Sequence, residues 1–232
     1  MKYRFSISFL LFLCLHFTAE AQSKRNVAVK NFNSLSVSSG IDLYLTQAQS
    51  ESLSIEGQQS AIDDIIVEQT GSAIRIHYKS KINWNILRSA PIKVYVHYKT
   101  LARLAASGGS DVFTQNLMRS QSLDVQASGG SDMNLNLVCK NLHLELSGGA
   151  DVTLKGRSEN LSLSASGGAD VKAYSLITDY AKVAVSGGSD AYIYVQKGLD
   201  ARASGGGDIH YKGNAVLKNT NPSHSGDIIH VK

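Results

Sequence analysis

Seven aspartates recur along the second half of the chain at a spacing that would let them act together. Asp111, Asp132, Asp151, Asp170, Asp190, Asp208 and Asp227 are separated by 21, 19, 19, 20, 18 and 19 residues. The first six close the motif Ser-Gly-Gly-x-Asp, at 107–111, 128–132, 147–151, 166–170, 186–190 and 204–208, and Ser225-Gly226-Asp227 is a worn copy. If each copy sits on one coil of a stack, successive carboxylates lie about 5 Å apart. Such charges repel by about 1 kcal/mol in water and by several at an effective dielectric near 20, so something must offset them. Calcium is one answer, because it takes carboxylate and carbonyl oxygens. Calcium-binding coils, however, repeat Gly-Gly-x-Gly-x-Asp every nine residues, and this chain has one Gly-Gly pair per nineteen or so. The other answer is structural: Asp accepts hydrogen bonds from turn amides, and the aligned serines add more. The structural corner is the stronger reading and calcium ligation the weaker one; no other cofactor is expected.

A second constellation lies on the strand that follows each aspartate. Its second and fourth positions run Lys172 and Tyr174, Tyr192 and Tyr194, then His210 and Lys212. Stacked, these six form a flat aromatic and basic patch suited to a glycan or to an envelope or host protein. The plainer alternative is that cross-strand tyrosines stabilise an exposed sheet. A third stretch, Lys79 to Arg88, holds the one tryptophan, Trp84. It reads more readily as a segment folded down over one end of the molecule than as a binding loop. His77, His97, His143, His210, His224 and His230 form no closely spaced ligand pair, and no Ser-His-Asp order stands out. Polysaccharide-acting enzymes on coiled β folds build clefts from long loops, whereas the turns here are short. A non-catalytic protein is therefore expected.

The elements that would position these residues follow from the repeat, which has to be sought first. Between copies the apolar residues alternate, as in half-buried strands: Met133 and Leu135, or Val152 and Leu154, after the aspartate, and Leu142, Leu144 and Leu146 before the next serine. Each unit reads as strand, short polar turn, strand and Gly-Gly corner. A unit of this size cannot bury its apolar stripe alone, but stacked coils pair each strand with its equivalent one turn away. The prediction is an all-β parallel β-helix, a solenoid of about 19-residue coils. Ala127, Ala165 and Ala203 allow it a narrow cross-section. Upstream, Leu35–Val37, Ile41–Thr46, Leu53–Ile55, Ile65–Glu68, Ala73–Tyr78 and Ile92–His97 read as strands of irregular coils that cap the stack. An open end would leave strand edges unpaired.

The start of the chain has the form of a secretory leader. Lys2 and Arg4 precede an apolar run from Phe5 to Phe17, and Ala19-Glu20-Ala21 offers a cleavage site before Gln22. The run is too short for a permanent anchor, and Cys14 lacks the small residue before it that lipid attachment requires. Cleavage removes Lys2, Arg4 and Glu20 from the 23 basic and 19 acidic residues, leaving 21 and 18. A net charge of +3 lacks the concentrated basic stripe expected of a nucleic-acid binder. Cys139 then remains alone and reads as an ordinary small side chain. The expected organisation is a signal peptide at 1–21, an irregular β cap at 22–105 and regular coils at 106–232, with 22–232 one continuous domain and no integral membrane segment.

Two features together carry a family resemblance. Phe32-x-x-Leu35-x-Val37-x-x-Gly40-Ile41-Asp42-Leu43-x-Leu45-Thr46-Gln47, followed by iterated Ser-Gly-Gly-x-Asp, resembles the head GIN domain family of putative autotransporter adhesins. The likeness runs from about Val27 to Val231. It implies a right-handed β-helix and export in Gram-negative bacteria of the Bacteroidetes kind, and it brings no catalytic residues. Asp42 stands where a Gly-Ile-Asn signature would have Asn, and no segment reads as a membrane barrel, so periplasm and cell surface are both open. The expected function is an exported scaffold or adhesin-like module binding a glycan or protein at the cell envelope. A purely structural envelope protein with calcium-stabilised coils is the alternative.

Overall fold

The computed structural model describes residues 23–79, 92–219 and 226–232. The predicted leader, Cys14, Trp84 with most of its loop, and His224 lie outside the described residues. The chain forms β1 (Ser23–Val27), β2 (Ser34–Ser38), β3 (Ile41–Gln47), β4 (Ser52–Gly57), a single helical turn α1 (Gln59–Ile62), β5 (Ile65–Thr70), β6 (Ala73–Tyr78) and β7 (Ile92–Tyr98). It continues as β8 (Arg103–Ser107), β9 (Asp111–Thr114), β10 (Met118–Ser128), β11 (Asp132–Ser147), β12 (Asp151–Ala165) and β13 (Asp170–Val185). The last strands are β14 (Ala191–Ala203), β15 (Ile209–Lys212), β16 (Val216–Asn219) and β17 (Ile228–His230).

From β8 onward the strands stack as a parallel solenoid. Leu144 of β11 lies between Val125 of β10 and Leu163 of β12, and the column continues through Val183 to Ala201. On the opposite flank Val112, Met133, Val152, Val171, Ala191 and Ile209 form the facing column. All of these side chains are buried. The alternation in sequence thus becomes two inward columns, and the core is the narrow space between them. The long strands run unbroken through the second bend of the coil, where small side chains stack inward: Ser120, Cys139, Ser158 and Thr178 are successive partners. Outside them Asn160 donates to the Oδ1 of Asn141 at 3.0 Å, and Asn141 donates to the Oγ of Ser122 at 3.3 Å.

The N-terminal end departs from chain order. β2 pairs in parallel with both β6 and β8, and β3 with both β7 and β9. The coil that comes first in sequence is therefore sandwiched between a later one and the regular stack. Beyond it the pairing turns antiparallel: β4 joins β7 to β1, and β5 covers β6. Leu53 and Ile55 of β4, with Ile62 of α1, close the apolar column at this end. The expected irregular cap is present in this form. Every strand anticipated there exists, and β1 and α1 are additions. Val27 is the only strongly apolar residue of β1, so no alternation announces it.

Candidate functional site

The Gly-Gly corners set the position of everything on the outward face. The x residue of Ser-Gly-Gly-x-Asp points inward: Ser110, Ser131, Ala150, Ala169 and Ser189 are all fully buried. All three of these hydroxyls take up bend amides, Ser110 Oγ accepting from the Ile41 amide at 3.2 Å. Ser131 Oγ accepts from the Ser128 amide at 3.1 Å, and Ser189 Oγ accepts from the Ala169 amide at 3.1 Å. Sequence reasoning missed this role, although the restriction of x to Ser, Ala or Gly was its signal.

The aspartates then stack in register, Asp111 on Asp132, Asp132 on Asp151, and Asp151 on Asp170. Asp42 extends the column, because Leu43 and Tyr44 pair with Val112 and Phe113. Ser38-Ser39-Gly40-Ile41-Asp42 is thus an early corner with Ser in place of the first glycine. Further along, the donor to each carboxylate is the next aspartate's own amide. Asp190 N–H donates to Asp170 Oδ1 at 3.3 Å, Asp208 N–H to Asp190 Oδ1 at 3.1 Å, and Asp227 N–H to Asp208 Oδ1 at 2.9 Å. The corner thus offsets part of its own repulsion with charge-assisted bonds. Burial first, then Asp132 and Asp42, push the Asp111 carboxyl above its usual range, opposed by a bond from the Asp132 amide. Burial also raises Asp42, with Lys93 opposing. Among the described residues no three His, Cys, Asp or Glu side chains converge as a metal site would require.

The six flank residues are brought together across β13, β14 and β15. Lys172, Tyr192 and His210 share one row, and Tyr194 pairs with Lys212. Tyr192 stacks on His210 with centroids 4.9 Å apart and planes at 9°. Tyr174 meets Tyr192 edge-on at 5.7 Å, and Lys212 Nζ lies 5.1 Å from the Tyr174 centroid. Lys172 reaches back to Asp151 at 3.6 Å. Since His210 covers a face of Tyr192, this flank offers hydroxyls, ring edges and ammonium groups more than free ring faces. Burial, then Asp190 and Asp170, hold the Tyr192 phenol above its usual range, so it stays a protonated donor.

The same outward row continues across the molecule: Tyr95, Tyr44, Phe113, Asn134, Thr153, Lys172, Tyr192 and His210 are successive partners. At its far end Tyr44 stacks on Tyr95 at 5.0 Å and on Phe113 at 5.3 Å. This second aromatic ladder was not foreseen. On the opposite side of the coil, buried Asp179 is held by Arg157 at 2.9 Å and Lys197 at 3.1 Å. The described histidines are scattered, with His97 on Ser52, His143 on Glu145 and His230 on the Gly213 carbonyl. Buried Cys139 sits 3.8 Å from Ser158 Oγ, and burial pushes its thiol up. No described helix is long and apolar enough to cross a membrane.

Comparison with known proteins places this geometry in context. A family model described as "Putative auto-transporter adhesin, head GIN domain" matches residues 31–215. No curated protein matches the chain. A solved putative adhesin from Bacteroides fragilis is 24% identical, with a TM-score of 0.84 over 92% of this chain and 98% of that one. A putative adhesin from Parabacteroides merdae is 18% identical, with a TM-score of 0.73 over 91% and 96%. A putative lipid binding protein from Parabacteroides distasonis is 16% identical, with a TM-score of 0.69 over 90% and 94%. At these identities the likeness is one of fold.

Proposed function

Because the chain belongs to the head GIN domain family of putative auto-transporter adhesins, we propose that it is an exported, non-catalytic module that binds a glycan at the cell envelope. The contact surface is the flank of β13, β14 and β15. One observation carries the reading: Lys172, Tyr174, Tyr192, Tyr194, His210 and Lys212, from three coils, share one outward face, and Tyr174, Tyr192, His210 and Lys212 are joined there by ring and cation contacts. Parallel ladders hold most of that face, with the β13–β14 pairing interrupted at Tyr174, so little conformational entropy is lost when a ligand docks. Phenol hydroxyls and ammonium groups beside ring edges suit the hydroxyls of a saccharide, since Tyr offers a ring body and a polar tip at once. The family description supports attachment as the task, and the leader-like N-terminus supports export; either face of the outer membrane satisfies both.

The test is affinity electrophoresis of the purified protein through gels containing β-glucan, xylan, mannan or galactan. Retardation in at least one gel is expected, and Tyr192→Ser with Tyr194→Ser should abolish it without moving the thermal melt. Migration unchanged by any of the four, or retardation indifferent to that double substitution, would reject the flank as the contact surface.

A further inference from the structure

Midway along the outward row the aromatic wall drops away into a notch. β9 ends at Thr114, while its neighbour β11 continues; their pairing covers only Asp132 to Asn134. The Thr114 hydroxyl substitutes for the missing strand, accepting from the Asn136 amide at 2.8 Å and donating to the Asn134 carbonyl at 3.4 Å. The result is a cavity of about 150 Å³ lined by Thr114, Asn134, Leu135, Asn136, Thr153 and Lys155. At roughly 30 Å³ per water, that is the volume of about five waters, close to one pyranose ring. Phe113 is Asn134's partner in register and stacks on Tyr44 on its other side, so its ring stands on the rung that borders the notch.

The floor is polar and uncommitted. Elsewhere in this solenoid an outward asparagine column satisfies itself, as Asn141 and Asn160 do. By contrast, the side chains of Asn134, Asn136, Thr153 and Lys155 have no hydrogen-bond or ionic partner among the described residues. Two carboxamides, a hydroxyl and an ammonium, one rung from the Phe113 ring, form the donor, acceptor and platform set that a sugar ring requires. With rungs ~4.8 Å apart, the four steps from Phe113 through Asn134, Thr153 and Lys172 to Tyr192 span ~19 Å. That is the reach of about four pyranose units.

We propose that the notch between Phe113 and Lys172 is a second saccharide subsite, and that the face takes a linear neutral glycan lying along the solenoid axis with one unit in the notch and another on the tyrosine flank. The proposal rests on the glycan reading of that flank. A short oligosaccharide reaches one subsite at a time, whereas a longer one occupies both and gains from the high effective concentration of its second contact.

The experiment is calorimetric titration of the protein with linear oligosaccharides of about two to eight units, prepared from whichever of the four polysaccharides retards it. Affinity should rise at least tenfold between the dimer and a chain of about five or six units, then level off. Asn134→Ala with Asn136→Ala should erase that step while leaving the weak binding of short chains; both positions are exposed, so the melt serves as the folding control. Binding that needs the tyrosines but is indifferent to chain length and to the double alanine change overturns the notch and leaves the flank standing. Binding that needs Asn134 and Asn136 but survives Tyr192→Ser with Tyr194→Ser keeps the notch and overturns the two-subsite arrangement. If none of the four polysaccharides is bound, both readings fall.

Discussion

At Asp111, burial, the carboxylate of Asp132 and that of Asp42 all disfavour ionisation, and only the Asp132 amide opposes them. Raised in the folded state, this carboxyl contributes stability that is whole below the unfolded value of 3.8 and is lost as pH rises through the folded one. Asp111→Asn keeps an oxygen for the Asp132 amide and removes the charge. Its Tm should therefore gain on the parent as pH climbs from about 3 to 7, by about 1–4 °C for a chain of this size. A difference that stays constant with pH would show that burial and the neighbouring carboxylates do not hold the Asp111 carboxyl above its unfolded value. Calcium gives the same melts a second use. It takes six to eight oxygens, while an Oδ1 of Asp170, Asp190 and Asp208 is already engaged by an amide. Millimolar calcium and chelator should give Tm values within about 1 °C, and a rise growing with calcium concentration would make the column a set of ion sites.

The corner is the element that the sequence exposes most clearly, and in the copies from Gly148 onward its two glycines do unequal work. Gly187 has φ +74°, and an added Cβ would stand 2.7 Å from the Gly167 carbonyl oxygen of the coil below. Gly188 has no positive φ, and its added Cβ would lie 3.7 Å from that oxygen. Gly187→Ala pays the left-handed penalty of about 1–2 kcal/mol plus a backbone clash, and should lower Tm by about 4 °C or more. Gly188→Ala should cost less than about 1 kcal/mol, and equal losses at both positions would contradict this account of the bend. The regular coils could be read from sequence because their apolar residues alternate within a fixed period, so Leu144 or Val171 declares its own orientation. The tyrosine flank was legible for the same reason, since its strands follow one another at coil spacing. Tyr44, Tyr95 and Phe113 gave no such sign. They come from β3, β7 and β9, and only a rung order that differs from chain order brings their rings together. The notch escaped too, because it depends on β9 stopping at Thr114 while β11 runs on.

At the scale of the molecule, a solenoid made only of equivalent coils would end in rows of unpaired amides and carbonyls, a template for another chain. This protein closes its N-terminal end by reversing strand direction: β4 and β1 lie antiparallel beyond β7, and β5 lies antiparallel beyond β6. Because β2 and β3 are held between that cover and the regular stack, the first coil of the sequence completes its pairing only after residues 73–78 and 92–98 have been made. Long-range pairing of this kind slows folding and leaves edges exposed meanwhile, which gives the cap a second role as the step that ends the exposure. A chain begun at residue 99 keeps every Gly-Gly corner but presents β8 and β9 as bare parallel edges above the buried Leu104 and Val112. It should retain a β-rich spectrum and associate at micromolar concentration, seen by light scattering after size exclusion, where the longer chain runs as a discrete species. A monodisperse, cooperatively melting fragment would show instead that the regular coils protect their own edge, and the antiparallel strands would then need a different explanation, such as presenting the Tyr95–Tyr44–Phe113 ladder at the end of the binding face.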